Sequence, residues 1–148
     1  MAIEFNNLLV PVDFGEPSLQ ALDAAIELAT RFRAQLTLVH VYEIPAYVYG
    51  GMTFATTDLF GPIEDAAREQ LDKMLHEVQA SVTGTKAVLR RGSAAQEILA
   101  VIAEVHPDLV VMGTHGRKGV SHALLGSVAE KIVRLSPVAV LTMRANGG

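Results

Sequence analysis

Asp108-Leu-Val-Val-Met-Gly-Thr-His-Gly-Arg-Lys-Gly-Val-Ser-His-Ala-Leu-Leu-Gly-Ser-Val-Ala-Glu-Lys-Ile-Val133 is the stretch whose reading decides the fold. It begins as a short apolar run, passes through a glycine-rich loop carrying Arg117 and Lys118, and ends in a helical pattern. A nearly all-apolar strand fits a parallel sheet covered on both faces. Glycine lets backbone approach an anion closely. Free N–H groups and the helix dipole favour negative charge at a helix start. Gly113 to Ser127 is therefore a candidate phosphate cradle at a strand-to-helix junction.

The same alternation runs through the rest of the chain. Residues 5–12 read as a first strand, followed by a helix that Glu16-Pro17 opens, with Pro near the first turn where its missing N–H costs little. Leu19, Leu22, Ile26 and Ala29 recur at helical spacing and are expected to face inward. Residues 35–42 form a second strand, and residues 44–61 break the rhythm with Pro45, Gly50, Gly51 and Gly61. A helix from about Pro62 to Ala80 follows, then a strand over Lys86–Arg90. Ser93-Ala-Ala-Gln96 has the form of a capping box, predicting a helix that turns Ile98, Leu99 and Ile102 inward. Asp108–Met112 is the fourth strand, the next helix runs to about Leu135, and Val138–Met143 is the fifth strand.

The order β-α-β-α-β-α-β-α-β implies right-handed crossovers and an open five-stranded parallel sheet with helices on both faces. The 148 residues are enough for one domain with a core, spanning 1–148 with no internal repeat. Half of the residues are hydrophobic, which excludes disorder. No apolar run approaches a membrane span of about 18 residues. The opening Met1–Asn7 has no basic segment or cleavage signature, so no signal peptide is expected. With no cysteine, the chain has no disulfide, thiol catalysis or cysteine-bound metal. A net charge of −4 argues against a nucleic-acid binder and leaves a local basic loop suited to a small anion.

In such sheets ligands sit beyond the carboxyl ends of the strands where strand order reverses. Pro11-Val12-Asp13 and Gly113 are the candidates for that crevice. The phosphate-loop pattern Gly-x4-Gly-Lys-Ser/Thr and the dinucleotide pattern Gly-x-Gly-x-x-Gly are both absent. What is present is Gly113-x2-Gly116-x9-Gly126-Ser127.

The chain resembles the universal stress protein family. Leu8-Leu-Val-Pro-Val-Asp-Phe-Gly-Glu-Pro-Ser-Leu-Gln-Ala-Leu22, Leu38-Val-His-Val-Tyr42, Asp108–Gly116 and Ser136-Pro-Val-Ala-Val-Leu141 all carry the likeness, over nearly the whole length. The glycine element is similar to that of the family's ATP-binding branch. The resemblance implies a Rossmann-like sheet of the adenine nucleotide alpha hydrolase type, in strand order 3-2-1-4-5. It implies a cytoplasmic, ATP-binding stress-response protein, with AMP or cyclic AMP as other ligands and Mg²⁺ accompanying the phosphates. It places Pro11, Val12 and Val41 beside adenine and Asp13 near the ribose or a phosphate-bound metal. Met112 and Gly113 would flank ribose and phosphates. His115, Gly116, Arg117, Gly126, Ser127 and Val128 would hold the phosphates. A homodimer through Val138–Met143, which covers the sheet edge, is also implied.

Other readings stay open at this level. Asp13 also suits a turn or helix cap, His40 a packed histidine, and Ser127 a phosphate-binding hydroxyl rather than a nucleophile. A metal site joining Asp13 to His115 or His122 needs a convergence that the sequence does not show. The aromatic residues of 44–61 suit a packed loop, a lid or a docking patch for a protein partner equally. A slow ATPase or other phosphate-transferring enzyme, and a partner-binding dimer without nucleotide, are the rival functions. No base or water-positioning residue is evident, and Asp13 is the one acidic candidate at the pocket.

Overall fold

The computed structural model describes residues 3–44, 60–115 and 125–144. Among the described residues, five strands, β1 (Asn7–Pro11), β2 (Gln35–Tyr42), β3 (Lys86–Arg91), β4 (Leu109–Gly113) and β5 (Ala139–Met143), alternate with four helices. These are α1 (Glu16–Phe32), α2 (Gly61–Gln79), α3 (Ala94–Val105) and α4 (Ser127–Leu135). All neighbouring strands are parallel, in the order β3-β2-β1-β4-β5. The fold class and strand order are thus those expected. The bounds differ by a residue or two, as helix and strand ends do. At the start of β5 the cause is visible: Val138 N–H donates to Ser136 Oγ, whose hydroxyl donates to Val138 O, so a serine turn precedes the strand.

Period-two alternation divides the interior into two cores. Leu8, Val10 and Val12, with Leu109 and Val111, face α1 and α2. Leu9, with Val110 and Met112, faces α3 and α4. Both faces of β1 and β4 are covered, which is why these strands are apolar without a break. Leu9, Val10, Val110 and Val111 are fully enclosed, each contributing roughly 1.5–3 kcal/mol.

The inward face of α1 is corrected. Ser18, Ala21, Leu22, Ala25 and Ala29 are the buried positions, and Leu19 is 42% exposed. Small residues on that face let the helix lie close to the sheet, so a Leu at position 19 is not needed there. The helix ends where Arg33 adopts a left-handed conformation and donates its N–H to Ala29 O.

The capping box of α3 is also corrected. Ser93 sits at the N-cap but its side chain makes no cap bond. The Ala94 N–H instead donates to Glu43 Oε1 at 3.3 Å, so a carboxylate 51 residues away serves that helix start. At the opposite end of the sheet, Asp108 lies just before β4. Its carboxylate accepts the N–H groups of Asn6 and Asn7, fixing the start of β1 beside that of β4. Among the described residues no helix is long and apolar enough to cross a membrane.

Candidate functional site

Strand order reverses between β1 and β4, and a cavity of about 480 Å³ opens beyond their carboxyl ends. That is within the usual size range of small-molecule sites. Pro11, Val12, Asp13, Val41, Met112, Gly113, His115, Gly126, Ser127 and Val128 all line it. Ten of the twelve residues singled out from the sequence are therefore brought together. Gly116 and Arg117 lie outside the described residues. Ser18, Val39, Ala94, Ile98, Thr114, Leu125 and Ala129 complete the lining.

On one wall the chain leaves β1 in a tight turn. Asp13 Oδ1 accepts the Gly15 N–H at 2.9 Å, and the Asp13 N–H donates to the buried Ser18 Oγ at 3.1 Å. Phe14 between them has φ 65°, an uncommon backbone for a bulky residue. Asp13 thus makes the turn bond and also borders the cavity. The Phe14 ring packs on His40 at 4.6 Å between centroids. His40 Nδ1 lies 2.7 Å from Val12 O. A carbonyl only accepts, so Nδ1 carries the proton. His40 is therefore a packed histidine that steadies the end of β1.

The other wall is the glycine element. A Cβ at Gly113 would lie 2.8 Å from both the carbonyl carbon and Cβ of Pro17. The glycine is required by the first turn of α1, a reason that the loop sequence does not reveal. Gly126 N–H donates to Thr114 O at 2.6 Å, so the returning chain touches its own departure point. A Cβ at Gly126 would stand 3.0 Å from that oxygen and 3.3 Å from His115 Cα. Gly126 is the N-cap of α4 with ordinary extended dihedrals, and among the described residues no side chain caps this helix. The first N–H groups of an α-helix have no intrahelical acceptor. Those of Ser127, Val128 and Ala129 begin at the cavity wall. His115 Nδ1 lies 3.1 Å from Thr114 Oγ1, while its Nε2 is buried with no hydrogen-bond partner among the described residues.

A second cavity of about 580 Å³ lies between the end of β2 and α2, lined by His40, Tyr42, Glu43 and the first turns of α2, and shares Asp13 and Val41 with the first. Burial, reinforced by the adjacent Glu64 carboxylate, pushes the Tyr42 phenol above its usual range, so it stays neutral. Among the described residues no three His, Cys, Asp or Glu side chains gather as metal ligands. Ser18, Thr114 and Glu43 are the site residues that sequence reading missed. Ser18 and Glu43 act through turns and a helix start that only the fold assembles. Thr114, lying between the first two motif glycines, was the legible one.

The model of the universal stress protein family matches residues 4–144. The chain belongs to the universal stress protein family. A universal stress protein of Bacillus subtilis is 31% identical over 147 residues, covering 95% of this chain and 99% of that one. The universal stress protein UspA from Lactobacillus plantarum superposes with a TM-score of 0.80 at 23% identity, covering 97% of this chain and 100% of that one. At this level of identity the likeness speaks for the fold. Two further members of the family were solved with ligands. One, in complex with cAMP, has a TM-score of 0.69 at 22% identity over 97% of this chain and 99% of that one. One from Arabidopsis thaliana with AMP bound has a TM-score of 0.67 at 16% identity over 96% and 93%.

Proposed function

We propose that this universal stress protein binds an adenine nucleotide, ATP foremost, in the cavity between the ends of β1 and β4, as a signal in a stress response. The observation that carries this reading is the uncapped start of α4. Its first N–H groups and the Ser127 hydroxyl border a cavity of nucleotide size. A helix start of this kind holds phosphate through aligned donors and dipole alone. Gly126, Ser127 and Val128 hold the phosphates there, joined by His115, Gly116 and Arg117. Met112 and Gly113 flank the ribose, while Pro11, Val12 and Val41 take the adenine. Asp13, on the opposite wall, reaches the ribose or a phosphate-bound Mg²⁺. Such an ion keeps several waters and needs few protein ligands. The cAMP and AMP complexes of other family members support an adenine nucleotide as the ligand class.

The arrangement favours binding over turnover: fixed donors at the start of α4 hold a ground-state phosphate, and among the described lining residues Asp13 is the one carboxylate. The protein acts in the cytoplasm as one domain over 1–148, paired as a homodimer through β5. That strand ends the sheet, and Leu141 on it is 39% exposed. Pairing would cover the exposed edge. Calorimetric titration with ATP, AMP and cyclic AMP, with and without Mg²⁺, tests the ligand. No saturable binding of any of the three would overturn the reading.

A further inference from the structure

We propose that Glu43 selects the base: its carboxylate, set at the rim between Val41 and Ala94, favours the amine-bearing edge of adenine over bases that present oxo groups or negative charge. This rests on the nucleotide reading of the first cavity and adds its specificity. The cavity has two ends. One is the start of α4, where Gly126 to Ala129 offer N–H groups to phosphate. The other is walled by Val39 and Val41 of β2 and by Ala94 and Ile98 of α3, and its side chains are apolar. With the phosphates at α4, the base lies at this apolar end.

Glu43 joins the two elements that build that end. Side chains alternate along a strand, so Glu43, two residues beyond Val41, follows it towards α3. The 3.3 Å bond from the Ala94 N–H to Glu43 Oε1 confirms the direction and sets the carboxylate across the gap between the end of β2 and the first turn of α3. The Gly92 N–H donates to Tyr42 O at 3.0 Å, which holds the two chain segments together at this point. Val41 and Ala94, on either side of the carboxylate, both border the cavity. Among the described residues no Lys or Arg forms an ion pair with Glu43, so its charge is left to act on a ligand.

A carboxylate accepts hydrogen bonds and donates none. Adenine carries an amine donor where guanine carries an oxo acceptor. The preference has the same sign whether Glu43 meets the base edge directly or through a water. Main-chain groups around Val41 offer a donor and an acceptor alike, so the carboxylate is the group with a fixed bias. Rejecting a wrong ligand with a group that repels it is an effective route to specificity. Asp13, the carboxylate among the described lining residues, stands at the end of β1 with Oδ1 tied to the Gly15 N–H. Its charge is the same background for every base, and replacing Glu43 leaves it in place.

The test is calorimetric titration of the full chain with ATP, inosine triphosphate and xanthosine triphosphate, in a mildly alkaline buffer of low salt. Wild type and Glu43→Gln are compared. The inosine base replaces the amine of adenine with an oxo group and stays neutral. The xanthine base adds a second oxo group and is an anion in this buffer. Glutamine keeps an oxygen for the Ala94 N–H, loses the charge and gains a donor. Glu43 is exposed, so it acts through a high effective dielectric and is screened by salt. Two affinity ratios are read, ATP over inosine triphosphate and inosine over xanthosine triphosphate. Each should be about three- to fivefold larger in wild type than in Glu43→Gln. Either ratio unchanged between the two proteins would overturn the selector and leave nucleotide binding intact. No saturable ATP binding by wild type would sink the nucleotide reading and the selector with it. Should Glu43→Gln misfold, Glu43→Ala decides by the same ratios, because the Ala94 N–H it uncovers lies at an exposed position and turns to water.

Discussion

Gly113→Ala separates two reasons for a glycine that the sequence runs together. If Gly113 exists to let the backbone approach an anion, alanine should weaken ligand binding and leave stability alone. The structure gives the other reason. The added Cβ meets the Pro17 carbonyl carbon at 2.8 Å, its Cβ at 2.8 Å and its oxygen at 3.0 Å. Two of these three atoms are backbone, in the first turn of a helix, and cannot swing aside as a flexible side chain would. Overpacking of this kind costs about 1–3 kcal/mol. Against it stands a gain of about 0.4–1 kcal/mol from the less flexible unfolded chain. That gain applies because Gly113 does not sit in the left-handed region. Because two of the contacts are at 2.8 Å, the cost lies towards the upper end of its range and the clash wins, for a net loss of up to about 2.6 kcal/mol. For a chain of 148 residues this lowers the melting temperature by up to about 10 °C. Gly61→Ala is the matched control, since a Cβ there meets nothing within 4 Å. It should melt at or slightly above the wild type. The assay is thermal unfolding followed by circular dichroism, without ligand. If Gly113→Ala melts no lower than Gly61→Ala, the packing account is wrong and the glycine serves the cavity instead.

Further outcomes follow from the same contacts. Ser18→Ala removes the acceptor of the Asp13 N–H and should cost about 1–3 kcal/mol in urea unfolding. Ile132→Ala, at a position with 0% exposure in the core between α3, α4 and the sheet, should cost about 2–5 kcal/mol by the same measurement. Gly126→Val would set a branched side chain against Thr114 O and His115. ATP binding should be lost in titration, together with a small drop in melting temperature that a purely ligand-facing glycine would not show. Leu141→Lys places a charge on the exposed face of β5 and should shift the proposed dimer towards monomer in light scattering. An unchanged mass would speak against β5 as the interface.

The sequence carried most of the fold because its signals are local. Apolar runs of strand length alternate with helical stripes, and Gly15-Glu16-Pro17 and the Gly126-Ser127 step mark helix starts. Position 19 and Ser93 went astray for a shared reason. Each obeys a local pattern that a neighbour from elsewhere in the chain overrides. Leu19 matches the apolar spacing, but closeness to β4 selects Ala21 and Ala25 for the inward face. Ser93 matches the capping box, but the end of β2 delivers Glu43 to the same helix start. Topology alone named the ends of β1 and β4, Pro11-Val12-Asp13 and Gly113, as the place of the cavity, while the other candidate residues came from the resemblance to the family. The packing within the site was not legible, because the Pro17 contact of Gly113 and the Ser18 bond of Asp13 exist only after the elements pack.

The override at Ser93 bears on how a ligand would lie. Two helix starts border the first cavity, α3 at Ala94 and α4 at Gly126 to Ala129. Each offers the partial positive charge of a helix dipole, so by dipole alone phosphate has two places to go. The start of α3 is already served by the Glu43 carboxylate, which both takes a donor and repels a second anion. At the start of α4 the N-cap is Gly126, which has no side chain to occupy the first N–H groups. A phosphate-bearing ligand therefore has one favourable orientation, phosphates towards α4 and its uncharged end towards β2 and Val41. A serine cap at α3 would be neutral and would leave that choice weaker, so the carboxylate from β2 gives the cavity a direction as well as a shape.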